Sequence, residues 1–403
     1  MGPQLLRLSV VVRFSHLAST FPAQTNTLYR ERDQRLSQGL PVIDLVSGNV
    51  TEQGIVFPPD LLHDILSDAV RRAQRYQPNP LGQLPAREAI SGYYRGHGVD
   101  VPAAQIVLTP GTSLAYWYAF SVFCDPSNEV LAPRPSYPLF DELANLARVR
   151  MTSYRLDEAR GWAVDVDSLI AAMTDRTRAI ILISPHNPTG AVASAEEIEA
   201  IAAVAADREL PIIADEVFGE FLFGLDRLPR PAVTRAPLVV TLNGFSKAMA
   251  LPGMKLGWMA LSGEAPAVTR VLAAFERISD AFLPVNEIVQ AAVPRILSDS
   301  RTFTDQYRKE IAARRDEYLG IITRSARASV IPPAGGFYAA LRVNTAWDDE
   351  TLALHILRTT GCLVHPGFFY DLDPTHLVLS VVSAPDAGRE ALLRVMAAID
   401  AAP

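Results

Sequence analysis

The sequence predicts an α/β fold, in which a large domain built on a mostly parallel sheet with helices on both faces is joined to a smaller α+β domain. Three observations predict it. Between about residues 105 and 261, short runs rich in Val, Ile and Leu alternate with longer Ala- and Glu-rich stretches. Those runs are nearly continuous rather than alternating, the pattern of strands that helices cover on both faces. Past residue 300 the texture changes to long helical segments with few, short strands between them, which marks a second and smaller unit.

Taken in order, strands are read at 105–109 (QIVLT), 129–132 (EVLA), 179–184 (AIILIS), 211–215 (PIIAD), 238–242 (LVVTL) and 256–261 (LGWMAL). Segment 194–208, rich in Ala, Glu and Ile, reads as a connecting helix. In the second unit, 304–324 and 351–360 read as helices, and 336–342 and 377–381 as strands. The expected division is an arm over 1–45 that joins the small domain, a large domain over 46–295 and a C-terminal small domain over 296–403. Such a sheet carries its site beyond the carboxyl ends of its strands.

Composition excludes several classes. The 403 residues are 49% apolar and 20% charged, a globular balance. The net charge is −7 with no Lys/Arg run, so no electrostatic footprint for nucleic acid is present. No apolar stretch approaches the roughly 18 residues of a membrane span. Cys124 and Cys362 are the only cysteines, and they indicate neither a disulfide framework nor a thiolate metal site. The first 30 residues hold Arg7, Arg13 and Arg30 and no acid, but the apolar run is short and broken; an ordered arm and a cytoplasmic location are expected.

Positive charge is unevenly chosen: 34 residues are Arg and three are Lys, namely Lys247, Lys255 and Lys309. Arg keeps its proton near neutral pH and cannot act as a nucleophilic amine. The rare lysines are therefore the first candidates for chemistry. Lys247 lies in NGFSKAMALPGMKLGW (243–258), between two expected strands and among small and apolar residues. Burial there would lower its pKa and favour the neutral amine that forms Schiff bases. Lys309, in the helical pattern DQYRKEIAARR, reads as a solvated residue.

Other motifs also fall at strand ends. SPHNPTG (184–190) closes one strand and DEVF (215–218) another, which puts Asn187 and Asp215 near the expected site. TPGTSLA (109–115) is a strand–Gly–helix junction, where free N–H groups and the helix dipole suit a phosphate. An amine, an amide, a carboxylate and a phosphate cradle on strand ends together fit a phosphorylated carbonyl cofactor with a ring nitrogen.

These motifs, in the order Tyr76…Gly82…Arg87, PGTSLA, PRPSYP, SPHNPTG, DEVF, FSK…GMKLGW, resemble those of fold-type I pyridoxal-phosphate enzymes, specifically the class I/II aminotransferases similar to aspartate aminotransferase. The resemblance covers nearly the whole chain. It implies a mixed seven-stranded sheet in the large domain and pyridoxal 5′-phosphate as cofactor. Lys247 resembles the lysine that holds the cofactor as a Schiff base and later moves a proton at the substrate Cα. Asp215 matches the carboxylate beside the pyridine nitrogen, Asn187 the partner of the ring oxygen, and Tyr137 the aromatic stacked on the ring. Gly111, Thr112, Ser113 and Ser246 resemble phosphate contacts, with Lys255 where the family usually has an arginine. Tyr76 matches a tyrosine reaching the phosphate from a neighbouring subunit, which implies a homodimer with shared sites. Gly48 and Asn49 sit at the implied substrate entrance.

Three further departures stand out. Phe218 occupies a position where the family usually has a tyrosine that bonds the ring oxygen, and Gly244 one where it has a phosphate-binding serine. Near the C-terminus HLVLSVV (376–382) places Val378 where the family has the arginine that grips the substrate α-carboxylate. Asn49 and His376 are candidate replacements. The activity implied is amino transfer between an amino donor and a keto acid or carbonyl compound. Val378 keeps open a lyase or β/γ-replacement enzyme acting on a side chain with a leaving group, for example that of S-adenosylmethionine.

Overall fold

The computed structural model describes residues 13–15, 17–18 and 26–403, so much of the expected arm over 1–45 lies outside the described residues. The large sheet is formed by β1 (Ile106–Thr109), β2 (Glu129–Arg134), β3 (Arg150–Asp157), β4 (Ala163–Val164), β5 (Thr177–Ile183), β6 (Ile212–Asp215), β7 (Leu238–Gly244) and β8 (Gly257–Gly263). Their spatial order is β1-β8-β7-β6-β5-β2-β3-β4. Strands β7, β6, β5, β2 and β3 run parallel, while β8 is antiparallel to both its neighbours.

Helices pack on both faces, which is why the strand sequences are continuous apolar runs. Ile181, Ile213, Val240 and Leu242 belong to the core on one face, and Ile180, Leu182, Ile212, Ala214 and Val239 to that on the other. The helix Ala195–Asp207 opens with a capping box formed by Ser194 and Glu197. It buries Ile198, Ile201, Ala202 and Ala205, a spacing that puts them on one stripe of the helix.

The sheet has eight strands rather than the expected seven; the extra one is β4, a two-residue antiparallel partner of β3. Neither β3 nor β4 was legible as a strand. In β3 only Tyr154 is buried, because the strand lies next to the sheet's edge, and RMTSYRLD lacks the apolar run of its inner neighbours.

The small sheet is antiparallel, with β9 (Ala328–Val330), β10 (Tyr338–Val343), β11 (His365–Pro366) and β12 (His376–Ser380) in the order β9-β10-β12-β11. Helices Arg301–Ile322, Asp349–Thr360 and Pro385–Asp400 accompany it. Among the described residues before 46, Ile43–Asp44 pairs with Cys362–Leu363, and Leu28 and Leu45 share a core with Ile356 and Val395. Among the described residues no helix is long and apolar enough to cross a membrane.

Strand ends set the positions that follow. β5 and β6 end level, with Ile183 beside Asp215, and β7 runs two residues past Leu242, the partner of Asp215, to Gly244. At the end of β7, Gly244 lies against the start of β8: a Cβ there would stand 2.8 Å from Leu256 O and 2.9 Å from Gly257 Cα. This close backbone approach leaves no room for a side chain at Gly244. Gly244→Ser should destabilise the protein by about 1–3 kcal/mol through overpacking, read as a lower melting temperature by calorimetry; an unchanged one would refute this account of Gly244.

Candidate active site

Asp215 ends β6 with its carboxylate buried. Oδ1 accepts from the Val217 N–H at 3.0 Å and Oδ2 from the Tyr116 hydroxyl at 2.8 Å. Burial pushes its pKa up to about 6, and the two hydrogen bonds only partly oppose that. Tyr116 lies on the helix Thr112–Phe123, one turn beyond Thr112. The sequence reading missed it, although its spacing from Thr112 was a usable signal.

Lys247 lies in the single turn Phe245–Ala248 that follows β7. Its Nζ donates to the Gly48 carbonyl at 2.7 Å and lies 5.6 Å from the Phe337 ring centre and 6.0 Å from that of Phe218. Burial lowers its pKa to about 8. A Cβ on Gly48 would meet the Tyr338 hydroxyl at 2.5 Å and Lys247 Nζ at 3.0 Å, so Gly48, Lys247 and Tyr338 close tightly on one another. Phe218 is buried edge-on to Phe337 and Tyr338.

Asn187 follows β5, buried, with its Oδ1 lacking any hydrogen-bond partner. The neighbouring His186 is held by Thr189 Oγ1 at 2.9 Å, and burial drives its pKa down to about 3. Tyr137 follows β2, stands edge-on to Phe140 and remains 40% exposed. Tyr137, Asn187, Asp215, Phe218, Lys247 and Tyr338 line one cavity of about 150 Å³ together with Thr112, Ser113 and Tyr116.

Gly111 precedes the helix Thr112–Phe123 at φ 149°, a backbone state that only glycine adopts freely. No side chain caps that helix, so its first N–H groups stay available to an anion. Lys255 is exposed and sits just before β8, where Gly257 approaches Gly111 so closely that a Cβ would lie 3.0 Å from Gly111 Cα. Ser246 precedes Lys247; neither it nor Lys255 lines the cavity. Tyr76 is 73% exposed and borders a separate cleft with Pro78 and Leu283. Gly48 meets Lys247 through its carbonyl, whereas the Asn49 side chain is turned to the Thr51 hydroxyl at 2.7 Å.

Val378 is wholly buried in β12. It packs with Trp162, Ala340, Tyr370 and Leu372. His376 has both nitrogens engaged, Nδ1 by the Pro374 carbonyl at 2.6 Å and Nε2 by Glu158 Oε1 at 3.1 Å. That leaves it poorly placed to take a carboxylate. The sequence reading also missed Tyr338, whose approach to Lys247 depends on the small domain meeting the large one.

Known proteins share this arrangement at the level of the whole chain. The family described as aminotransferase class I and II matches residues 41–395. The glutamate-pyruvate aminotransferase AlaA of Haemophilus influenzae is 27% identical over 377 residues, covering 91% of this chain and 93% of that protein. Its Escherichia coli counterpart is 29% identical, covering 84% and 85%. Among solved structures, the alanine aminotransferase of Pyrococcus furiosus superposes with a TM-score of 0.89 at 25% identity, over 96% of this chain and 99% of that one. A family match over most of the chain, on a sheet whose strand ends bring the rare lysine to a buried carboxylate, makes this protein a member of the class I and II aminotransferases.

Proposed function

We propose that this enzyme moves an amino group between an amino donor and a keto acid or carbonyl compound, using pyridoxal 5′-phosphate held by Lys247. One observation carries the proposal: an amine and a carboxylate, both shifted toward neutrality by burial, share one cavity with an amide oxygen that has no partner. These residues fit that cofactor, because an aldehyde needs the first, a pyridinium the second, and a ring hydroxyl can donate to the third. When bound, pyridoxal phosphate supplies a carbonyl that condenses with amines and a ring that takes up the electron pair left at Cα.

The chain's own residues then have distinct tasks. With a pKa of about 8, Lys247 is neutral in a useful fraction near neutral pH and can attack a carbonyl. Freed from the cofactor, its amine would be the base that moves a proton between the substrate Cα and the cofactor's carbonyl carbon. Asp215 is costly to ionise in its buried site, and a protonated ring nitrogen beside it would offset that cost. Tyr116 and the Val217 N–H fix its orientation. Asn187 serves the ring oxygen and Tyr137 the ring face. Gly111, Thr112 and Ser113 would hold the phosphate, with Ser246 and Lys255 from beyond the cavity lining. Tyr76, exposed and outside its own cavity, supports a homodimer in which it completes the partner's site. Residues 46–295 would carry the cofactor and 296–403 close over it, in the cytoplasm.

Relatives named for glutamate and pyruvate support small amino and keto acids as one pair of co-substrates. Val378 favours a different anchoring for the other, because a carboxylate packed against it would be desolvated without a cationic partner. The same residue favours a second reading, a lyase or β/γ-replacement enzyme on a substrate such as S-adenosylmethionine. Spectroscopy of the half-reaction separates them: a transferase accumulates the amino form of the cofactor, whereas a lyase releases its leaving group and keeps the aldehyde form.

Two outcomes follow for variants. Lys247→Ala should abolish the visible absorbance of the cofactor-loaded protein and its activity; a variant that stays yellow and active would contradict the assignment. For Asp215 the unfolded carboxyl ionises near 3.8 and the folded, cofactor-free one at about 6. Its contribution to stability is therefore complete below 3.8 and lost as pH rises through 6. Cofactor-free Asp215→Asn should accordingly be more stable than the parent at pH 8, on the order of 2–3 kcal/mol, with the gap closing toward pH 4. Melting curves across that range test it, and a variant less stable at pH 8 would refute it.

A further inference from the structure

Val378 does not face an empty wall. In the small sheet it pairs with Ala340 on β10 and with His365 on β11. Residues directly opposite one another in a sheet share a face, so His365 stands beside Val378 on the side that carries Ala340 and, two residues earlier, Tyr338. Tyr338 in turn reaches Gly48 and Lys247. The row holding Val378 and His365 is thus next to the row that closes on the reactive amine.

His365 is the centre of a hydrogen-bonded chain. Its Nε2 meets the Tyr29 hydroxyl at 2.8 Å and its Nδ1 the Tyr370 hydroxyl at 2.9 Å. Tyr370 is buried against Val378 and Leu372, and the Tyr338, Tyr137 and Asp44 side chains lie near enough to act on it electrostatically. The ring lies edge-on to Phe369 and Tyr29. Burial lowers the pKa of His365 to about 4, so the ring is neutral in ordinary buffers. A neutral imidazole has one N–H and one lone pair. One tyrosine therefore donates to it, the other accepts from it, and the accepting phenol keeps its own O–H for a third partner. The chain offers a hydroxyl donor and no charge.

Lys247 is the one basic side chain lining the cavity, and Tyr29, His365 and Tyr370 stand behind that lining. Arg32 lies over the Tyr29 ring at 4.3 Å but is paired with Asp33 at 2.7 Å. A carboxylate here would be desolvated without a counter-charge, whereas an uncharged oxygen would keep a full hydrogen bond.

We propose that Tyr29, His365 and Tyr370 are specificity-determining residues, and that the carbon bearing the transferred amino group carries an uncharged oxygen function, an alcohol or an amide, where an amino acid carries its carboxylate. This rests on the aminotransferase reading above and names the substrate class of that same site.

The test uses matched sets of amino acid, amino alcohol and amino amide with methyl, isobutyl and benzyl side chains, offered to the cofactor-loaded enzyme. In the best set, the half-reaction should favour the alcohol or amide by about tenfold or more in kcat/KM, equivalent to about 1.4 kcal/mol. Tyr370→Phe and His365→Phe should reduce that preference severalfold, mainly through KM, with the cofactor absorbance retained. Calorimetric binding of the non-reacting pair 3-phenylpropanol and 3-phenylpropionate should favour the alcohol in the parent and lose that preference in Tyr370→Phe. A preference below tenfold, tighter binding of the carboxylate, or a preference unchanged in both variants would overturn the proposal. If no compound yields the amino form of the cofactor, the transferase reading fails, and the binding pair still decides this inference.

Discussion

Burial of one amine and one carboxylate in a shared cavity is the constraint on which the site depends. Lys247 loses affinity for its proton and Asp215 gains it, in each case chiefly through desolvation. Neither charge is neutralised by the other's side chain: Lys247 bonds a backbone carbonyl and Asp215 a phenol and an amide N–H. A buried ionisable group without an ionic partner destabilises a fold, and its retention in a site is explained by a ligand that completes it. The uncapped helix after Gly111 and the unpartnered Asn187 oxygen are incomplete in the same sense.

The sheet makes this arrangement possible. Parallel strands buried on both faces point the same way, so the carboxyl ends of β5, β6 and β7 deliver Asn187, Asp215 and Lys247 to one edge. Glycines allow the backbones to close: Gly111 through its dihedral angle, Gly244 and Gly48 through space that a side chain would fill. The small domain contributes the remaining wall through Phe337 and Tyr338.

How far the sequence revealed all this differs by residue. The inner strands were legible because burial on both faces leaves an unbroken apolar run, while β3 was not, since its place near the edge lets polar residues in. Lys247 stood out because the chain so rarely uses lysine. Asp215 and Asn187 showed through their places at strand ends. Contacts made across the chain left no local trace: Gly48 lies 199 positions from Lys247, and Tyr29 lies 336 from His365. The absence of an arginine at Val378 could be read from the sequence. That His365 lies opposite it required the register of the small sheet.

The central claim is that Lys247 holds the cofactor, and a chain with three lysines makes it directly measurable. Borohydride reduction of the cofactor-loaded enzyme, followed by peptide mass mapping, should place a phosphopyridoxyl group on Lys247 and on neither Lys255 nor Lys309. Label on another lysine, or none on a protein that is yellow and active, would contradict it.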